Sequence, residues 1–380
     1  MMHRLLIIPL FIFSSLVTPQ QRIDLSMQKE IEHAIIRGLE YLHDQQDKNG
    51  SWQQHTAITG LVLSSFLRAH PAISEQDSII ARGFNFLKSC IHDNGGIYND
   101  DMQTYSTSIC IMAFKDADNF LYDPIIRNAQ SFIISMQKSE ENDVPPDSIN
   151  YGGVSYGKDD KPCNLSNLQW ALEAVASEEQ APDDTLHLNL AEKKFEEKRT
   201  LFFDRAIQFL QRCQNLKAYN DQSCSVDDGG FMYSPGTSKA GETHSYGSMT
   251  YAGLKSFIHA SVSRSDPRVQ AALEWLQKHY TVKENPAMGM QGLYYYYHTM
   301  AKALSVADID VITTAKQKNH YWRHELADQL LQIQNADGSW VNSNGRWWEN
   351  NPVLVTAYVV LSLEQVLEPF NTSSLLPDQR

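Results

Sequence analysis

The chain has 380 residues, 42% of them hydrophobic and 20% charged, an ordinary globular composition with ample material for a large core. Its formal net charge of -13 at pH 7 argues against a nucleic-acid binder, because such binding rests on Lys and Arg placed at phosphates. The five cysteines include no Cys-x-x-Cys pair, so a structural zinc cluster has no support, and their odd number leaves at least one thiol free or intermolecular.

Residues 1–20 read as an export signal. His3 and Arg4 precede an apolar run over 5–17, which Thr18-Pro19-Gln20 breaks. That run is shorter than the roughly 20 apolar residues a membrane helix needs. Nothing later is long and apolar enough to cross a bilayer, so no integral span is expected beyond this signal. The expected location is exported, periplasmic or secreted.

From 21 to 368 one unit recurs six times at a period of about 50 residues. Each copy reads as an outer helix, a turn and an inner helix. The first turns at Asn49-Gly50-Ser51-Trp52 and continues as an inner helix from Thr56; the second turns at Gly95-Gly96-Ile97 and continues from Thr107. The third turns at Gly152-Gly153-Val154 before an inner helix over 165–175. The fourth turns at Gly229-Gly230-Phe231 before one over 245–260. The fifth has a degenerate turn over 286–292 before 293–304, and the sixth repeats the first as Asn335-Ala336-Asp337-Gly338-Ser339-Trp340 before 353–363. Asn-Gly, Asp-Gly and Gly-Gly supply the positive φ that follows a helix C-terminus. An aromatic ring beyond the glycine can lie over the preceding helix end, where a Gln amide can bond terminal backbone groups. Six such hairpins close into a ring around a central cavity. Residues 177–200 interrupt the pattern as a charged insertion, and 369–380 read as a flexible tail. Cys213 and Cys224 flank one loop of the fourth unit.

The Gln45–Trp52 and Gln334–Trp340 stretches, with Asp228-Gly229-Gly230-Phe231, resemble the QW-type repeats of the terpenoid cyclase and protein prenyltransferase superfamily. The resemblance spans about 28–367. It implies an all-α fold, the (α/α)6 toroid, and a central cavity that in the cyclases and prenyltransferases accepts an isoprenoid chain. The chain also departs from the pattern. The cyclases' Asp-x-Asp-Asp acid motif is replaced by Gln103-Thr104-Tyr105-Ser106, and Asp100, Asp101, Asp227 and Asp228 lie in turns. Where prenyltransferases hold zinc, this chain offers Glu242, His244 and His298, a carboxylate with two imidazoles. Zinc is therefore the one metal the resemblance opens, and no motif requires any other cofactor.

Four consecutive tyrosines, Tyr294 to Tyr297, cannot share one face of a helix, so at least one is expected to meet the cavity. Tyr294, His298 and Lys302 fall at i, i+4 and i+8. His298 with Tyr246 is the expected acid–base pair. Tyr251, Tyr294, Lys302, Trp170 and Trp348 are the expected ligand-binding residues. Gly247 and Gly253, costly inside a helix, imply a close neighbour, either a ligand or the next helix. The expected partner is an isoprenoid or other lipid-like small molecule. Two alternatives stand beside it. One is a non-enzymatic binding or scaffold toroid filled by its own tyrosines. The other is a carbohydrate-active ring, which needs facing carboxylates from candidates such as Asp101, Glu284 and Glu349.

Overall fold

A computed structural model describes residues 23–69, 77–157, 162–176, 189–222 and 226–368. The expected signal over 1–20, the tail over 369–380, Cys224 and the first part of the expected insertion lie outside these residues. Among the described residues, twelve α-helices alternate between two concentric layers. The outer layer is α1 (Leu25–Asp44), α3 (Ser78–Ser89), α5 (Asp123–Ser135), α7 (Leu190–Cys213), α9 (Pro267–His279) and α11 (Trp322–Gln332). The inner layer is α2 (Thr56–Arg68), α4 (Gln103–Asp116), α6 (Leu165–Val175), α8 (Gly247–His259), α10 (Leu293–Val306) and α12 (Pro352–Leu367). Each inner helix packs on the next, and α12 returns to α2, so the ring is closed. A small hairpin, β1 (Val311–Thr313) with β2 (Asn319–Tyr321), joins the fifth unit to the sixth. No helix among the described residues is long and apolar enough to cross a membrane.

The layering follows from side-chain chemistry. Outer helices are amphipathic and bury one stripe, whereas α12 is buried at every position from Val353 to Val366. Asp24, Asp77, Asn164, Asn189 and Asp266 start their helices by accepting a hydrogen bond from a first-turn N–H. The charged stretch Glu192 to Arg199 is helical and runs without a break into the outer layer as the first half of α7, entered through an Asn189–Glu192 capping box.

The repeated turn is a stitch between neighbouring units. Gln46 Nε2 donates to Gly50 O at 2.9 Å and to Ile79 O of the next outer helix at 2.8 Å. Gln137 and Gln214 do the same with Gly152 and Phe202, and with Gly229 and Arg268. Gln334 closes the ring, reaching Gly338 O at 2.9 Å and Ala34 O of the first unit at 3.0 Å. The glycine is obligatory twice over at Gly338: φ is 89°, and a Cβ would run into the carbonyl oxygen of Arg37. The aromatic residue then caps the helix behind it, as Trp52 Nε1 donates to Leu42 O at 2.6 Å and Trp340 Nε1 to Leu330 O at 2.9 Å. The backbone N–H of Trp52, Ile97, Phe231 and Trp340 each meets a threonine hydroxyl of the following inner helix. Gly247 and Gly253 are explained by packing: a Cβ there would strike Pro286 and the Phe231 ring.

Candidate functional site

The inner helices run parallel, so their first turns share one end of the ring. A cavity of about 240 Å3 opens there. Its walls carry Tyr105, Tyr156, Tyr233, Tyr246, Tyr295 and Tyr358, with Ile58, Leu61, Met249 and Leu354 between them. The phenols bond mainly to each other and to neighbouring polar groups. Tyr105 and Tyr358 oxygens are 3.0 Å apart, Tyr156 and Tyr233 oxygens 3.3 Å, and Tyr295 meets Ser166 at 3.1 Å. The rings therefore offer apolar faces and little free polarity. Tyr156 and Tyr233 arrive from corresponding loops, each three residues past a Gly-Gly pair.

The floor of this cavity is an aromatic layer. Trp170 stacks on His298 with centroids 5.4 Å apart and planes 18° apart. His298 lies against Tyr358 at 5.4 Å, and Trp170 meets Tyr105 edge-on. Below is a second space of about 20 Å3, lined by Trp170, Glu173, His298, Lys302, Arg68 and Asp116. Glu173 holds Lys255 at 2.5 Å and Lys302 at 3.0 Å. Burial alone would raise the Glu173 carboxyl, but the two ammonium groups override it and hold it well below the usual carboxylate range. His298 makes no hydrogen bond through either ring nitrogen. Burial, seconded by Lys255, pushes it down to about 3, so it is a neutral imidazole at ordinary pH.

The sequence-predicted residues thus part company. Tyr246 and Trp348 line the larger cavity, while His298, Trp170 and Lys302 line the small one beneath it. The expected His298–Tyr246 pair therefore does not share a cavity. Tyr251 and Tyr294 line neither. Tyr251 packs on Tyr296 between helices, and Tyr294 donates to Val341 O at 3.3 Å. Of the four consecutive tyrosines only Tyr295 faces the larger cavity, because Tyr296 and Tyr297 are turned away to donate to Thr281 O and Val282 O. The zinc set is not assembled. Glu242 and His244 sit exposed in the loop before α8, His298 is buried in the floor, and no group of three or more metal-ligating side chains exists among the described residues.

Glu349 is the one carboxylate among the described residues that line the larger cavity. It is buried, and it stands at the start of α10, where Oε1 accepts the Tyr295 N–H at 2.8 Å and Oε2 accepts Asn342 Nδ2 at 2.7 Å. Those donors favour the anion, but burial outweighs them and pushes its carboxyl up to about 7. Asp101 and Glu284 are exposed. Trp347 and Trp348 precede Glu349 at the rim, with φ of 57° and 64°, and both stay about half exposed. Consecutive non-glycine residues at positive φ are strained, and such strain gathers at functional sites. His55 also lines the cavity, at the N-cap position of α2 but with no capping hydrogen bond from its ring, and follows a second such pair, Gln53 and Gln54, with φ of 56° and 55°. Sequence reasoning missed His55, Tyr105, Tyr156, Tyr233 and Tyr358. The available signals were the position of His55 just before an inner helix and the repeated Gly-Gly-x-x-Tyr spacing.

The sequence matches no protein-family profile and no curated protein. Solved structures do match across nearly the whole chain. The type II terpene cyclase MstE from Scytonema, in complex with geranylgeranyl dihydroxybenzoate, is 12% identical over 90% of this chain and 98% of its own, with a TM-score of 0.54. A glycosidase is also 12% identical, over 91% of this chain and 100% of its own, with a TM-score of 0.53. A protein from Actinoplanes gives 13% identity and a TM-score of 0.50. A terpene cyclase and a glycosidase match almost equally well, so what this chain shares with them is the fold alone, an all-α toroid.

Proposed function

We propose that the chain takes a small isoprenoid or other lipid-like molecule into the mouth cavity and acts on it with Glu349 as a general acid. The observation that carries this is one buried carboxyl lining a cavity whose walls are mostly apolar side chains and tyrosines bonded largely to one another; burial pushes that carboxyl up to about 7. An acid tuned near the working pH suits proton donation to an oxygen atom, whereas an isolated alkene demands a far stronger acid. The apolar tyrosine faces favour a hydrocarbon body with a single polar group. At about 240 Å3 the cavity lies just under the usual ligand-pocket range of roughly 300–1,000 Å3, which favours a short ligand. A sugar-cleaving reading would want a second carboxylate facing Glu349, and the exposed Asp101 and Glu284 do not supply one. Export through residues 1–20 belongs to this reading and is checked by finding the processed protein outside the cytoplasm.

Geranylacetone, an isoprenoid ketone, is the test ligand, followed by native mass spectrometry and tryptophan fluorescence. One molecule should bind per chain, and glucose at the same concentration should not compete. An apolar ligand desolvates Glu349 further and so prefers its neutral form. Affinity should therefore fall roughly fivefold as pH rises from 6 to 8 for one further unit of upward carboxyl shift on binding. The Glu349→Gln protein should bind with no such slope. Preferential binding of glucose, or no ketone binding, would sink the proposal.

A further inference from the structure

The walls of the mouth cavity carry one hydroxyl that the protein itself leaves unanswered. Tyr105 and Tyr358 bond each other, as do Tyr156 and Tyr233. Tyr295 bonds Ser166 and accepts from Gln169 Nε2 at 3.3 Å, and Ser248 accepts from Asn285 Nδ2 at 3.2 Å. Among the described residues lining the cavity, Tyr246 alone carries a hydroxyl with no hydrogen bond to the protein. The residue is 2% exposed, yet its oxygen is not sealed in. The Tyr251 oxygen is shut away without a partner inside the helix packing, whereas the Tyr246 oxygen keeps accessible surface, and the cavity is the space it faces.

The repeated turn holds this residue in place. Tyr246 immediately precedes α8, and its N–H donates to Phe231 O at 3.2 Å. Its carbonyl accepts from Thr250 N at 3.0 Å and from Thr250 Oγ at 2.9 Å. Phe231 is the aromatic residue of the fourth turn, and its own N–H donates to the same threonine hydroxyl at 3.1 Å. Beyond Tyr246, Gly247 N donates to Pro286 O at 3.0 Å and Ser248 N to Asn285 Oδ1 at 3.0 Å. The backbone is thus bonded on both sides of the residue while its phenol is left free.

We infer that Tyr246 determines the specificity of the cavity: its phenol donates a hydrogen bond to an acceptor oxygen on the ligand, so the site selects an oxygenated lipid-like molecule over a hydrocarbon of the same shape. The inference rests on the function proposed above and names the group that receives the ligand's polar end. Its basis is desolvation. In an open cavity water answers the phenol. A hydrocarbon filling the space strips that water away and leaves the O–H unpaired in an apolar wall, whereas an ether, carbonyl or alcohol oxygen takes the water's place. A site with such a donor rejects an analogue lacking the acceptor more strongly than an apolar pocket rejects a missing methylene. Tyr246 meets the ligand as a neutral donor, because burial, seconded by the Tyr295 and Tyr156 phenols, pushes it well above the usual phenol range. The other phenols of the wall are less suited, since each would have to give up a bond it already makes.

The test compares geranylacetone with the hydrocarbon in which CH2 replaces its carbonyl, using the same binding assays. Tyr246→Phe removes one oxygen atom and should lower the ratio of ketone to hydrocarbon affinity roughly tenfold. Hydrocarbon binding by the variant should hold or tighten, which also shows that the variant is folded. Infrared spectra supply a second reading: the carbonyl stretch of the bound ketone should lie at lower wavenumber in the wild type than in hexane, and should move back in Tyr246→Phe. An unchanged affinity ratio, a wild-type stretch equal to that in hexane, or the same stretch in both proteins each overturns this inference and leaves the binding function standing. Absence of ketone binding to the wild type overturns both.

Discussion

At the mouth, the first turns of the inner helices face about 240 Å3 of space lined by tyrosines bonded largely to one another; at the far end, the last turns of the same helices close on about 20 Å3 and a set of ion pairs. Parallel helices explain the asymmetry. Their C-termini gather partial negative charge at the far end, where Arg68, Lys255 and Lys302 answer it and Glu173, Asp116 and Glu368 answer them in turn. Their N-termini gather backbone donors at the mouth, two of whose consequences are the Tyr295 N–H on Glu349 and the chance for a carboxyl to sit there buried. One end is built to be full and fixed. The other is built to be open, with its polarity concentrated at two wall positions.

The largest break in this contrast is expected at Glu173. Glu173→Gln leaves the buried Lys255 without its anion, and stability should fall by about 3–5 kcal/mol in urea denaturation. Geranylacetone affinity at the mouth should stay within twofold if the two ends are independent; a large loss of affinity would show that they are coupled. The next test concerns the floor between them. His298 is held at about 3 against an unfolded value near 6.5, so its contribution is intact above pH 6.5 and drains away as pH falls toward 3. That amounts to about 2 kcal/mol at pH 5, and His298→Phe should erase this share of the pH 7 to pH 5 difference in urea stability. An unchanged difference would mean that the ring titrates freely. The smallest effect is expected in the turns. Gly289→Ala forces a side chain into a left-handed backbone with open space around it, at about 1–2 kcal/mol, and thermal unfolding should register it without any change at the far end.

The ring was legible because its signals are local and repeated. Gln334-Asn335-Ala336-Asp337-Gly338-Ser339-Trp340 states a helix end, a positive-φ turn and a cap within one short stretch, and α6 occupies the residues its apolar pattern marks. The charged run over 192–199 is a helix, and its continuity with the outer helix was hidden because an outer helix needs only one buried stripe and its solvent side reads like an insertion. The site was less legible because it is assembled across units. Glu349 reads as a turn carboxylate until α10 brings the Tyr295 N–H to it, and His55 is marked only by its position just before an inner helix until Asp100 arrives from the second unit. His298 drew attention by its tyrosine neighbours, yet one turn of helix carries it past the cavity into the floor.

The seam where Gln334 reaches Ala34 joins residues 300 positions apart. During synthesis the first unit must therefore wait, with one flank of α2 uncovered, until the last unit has been made. Such distant closure is slow and leaves apolar surface open to wrong partners in the meantime. Glu349 lies in the turn of the sixth unit, so a chain that stops short of that unit would lack both the closing contact and the acid proposed for the cavity.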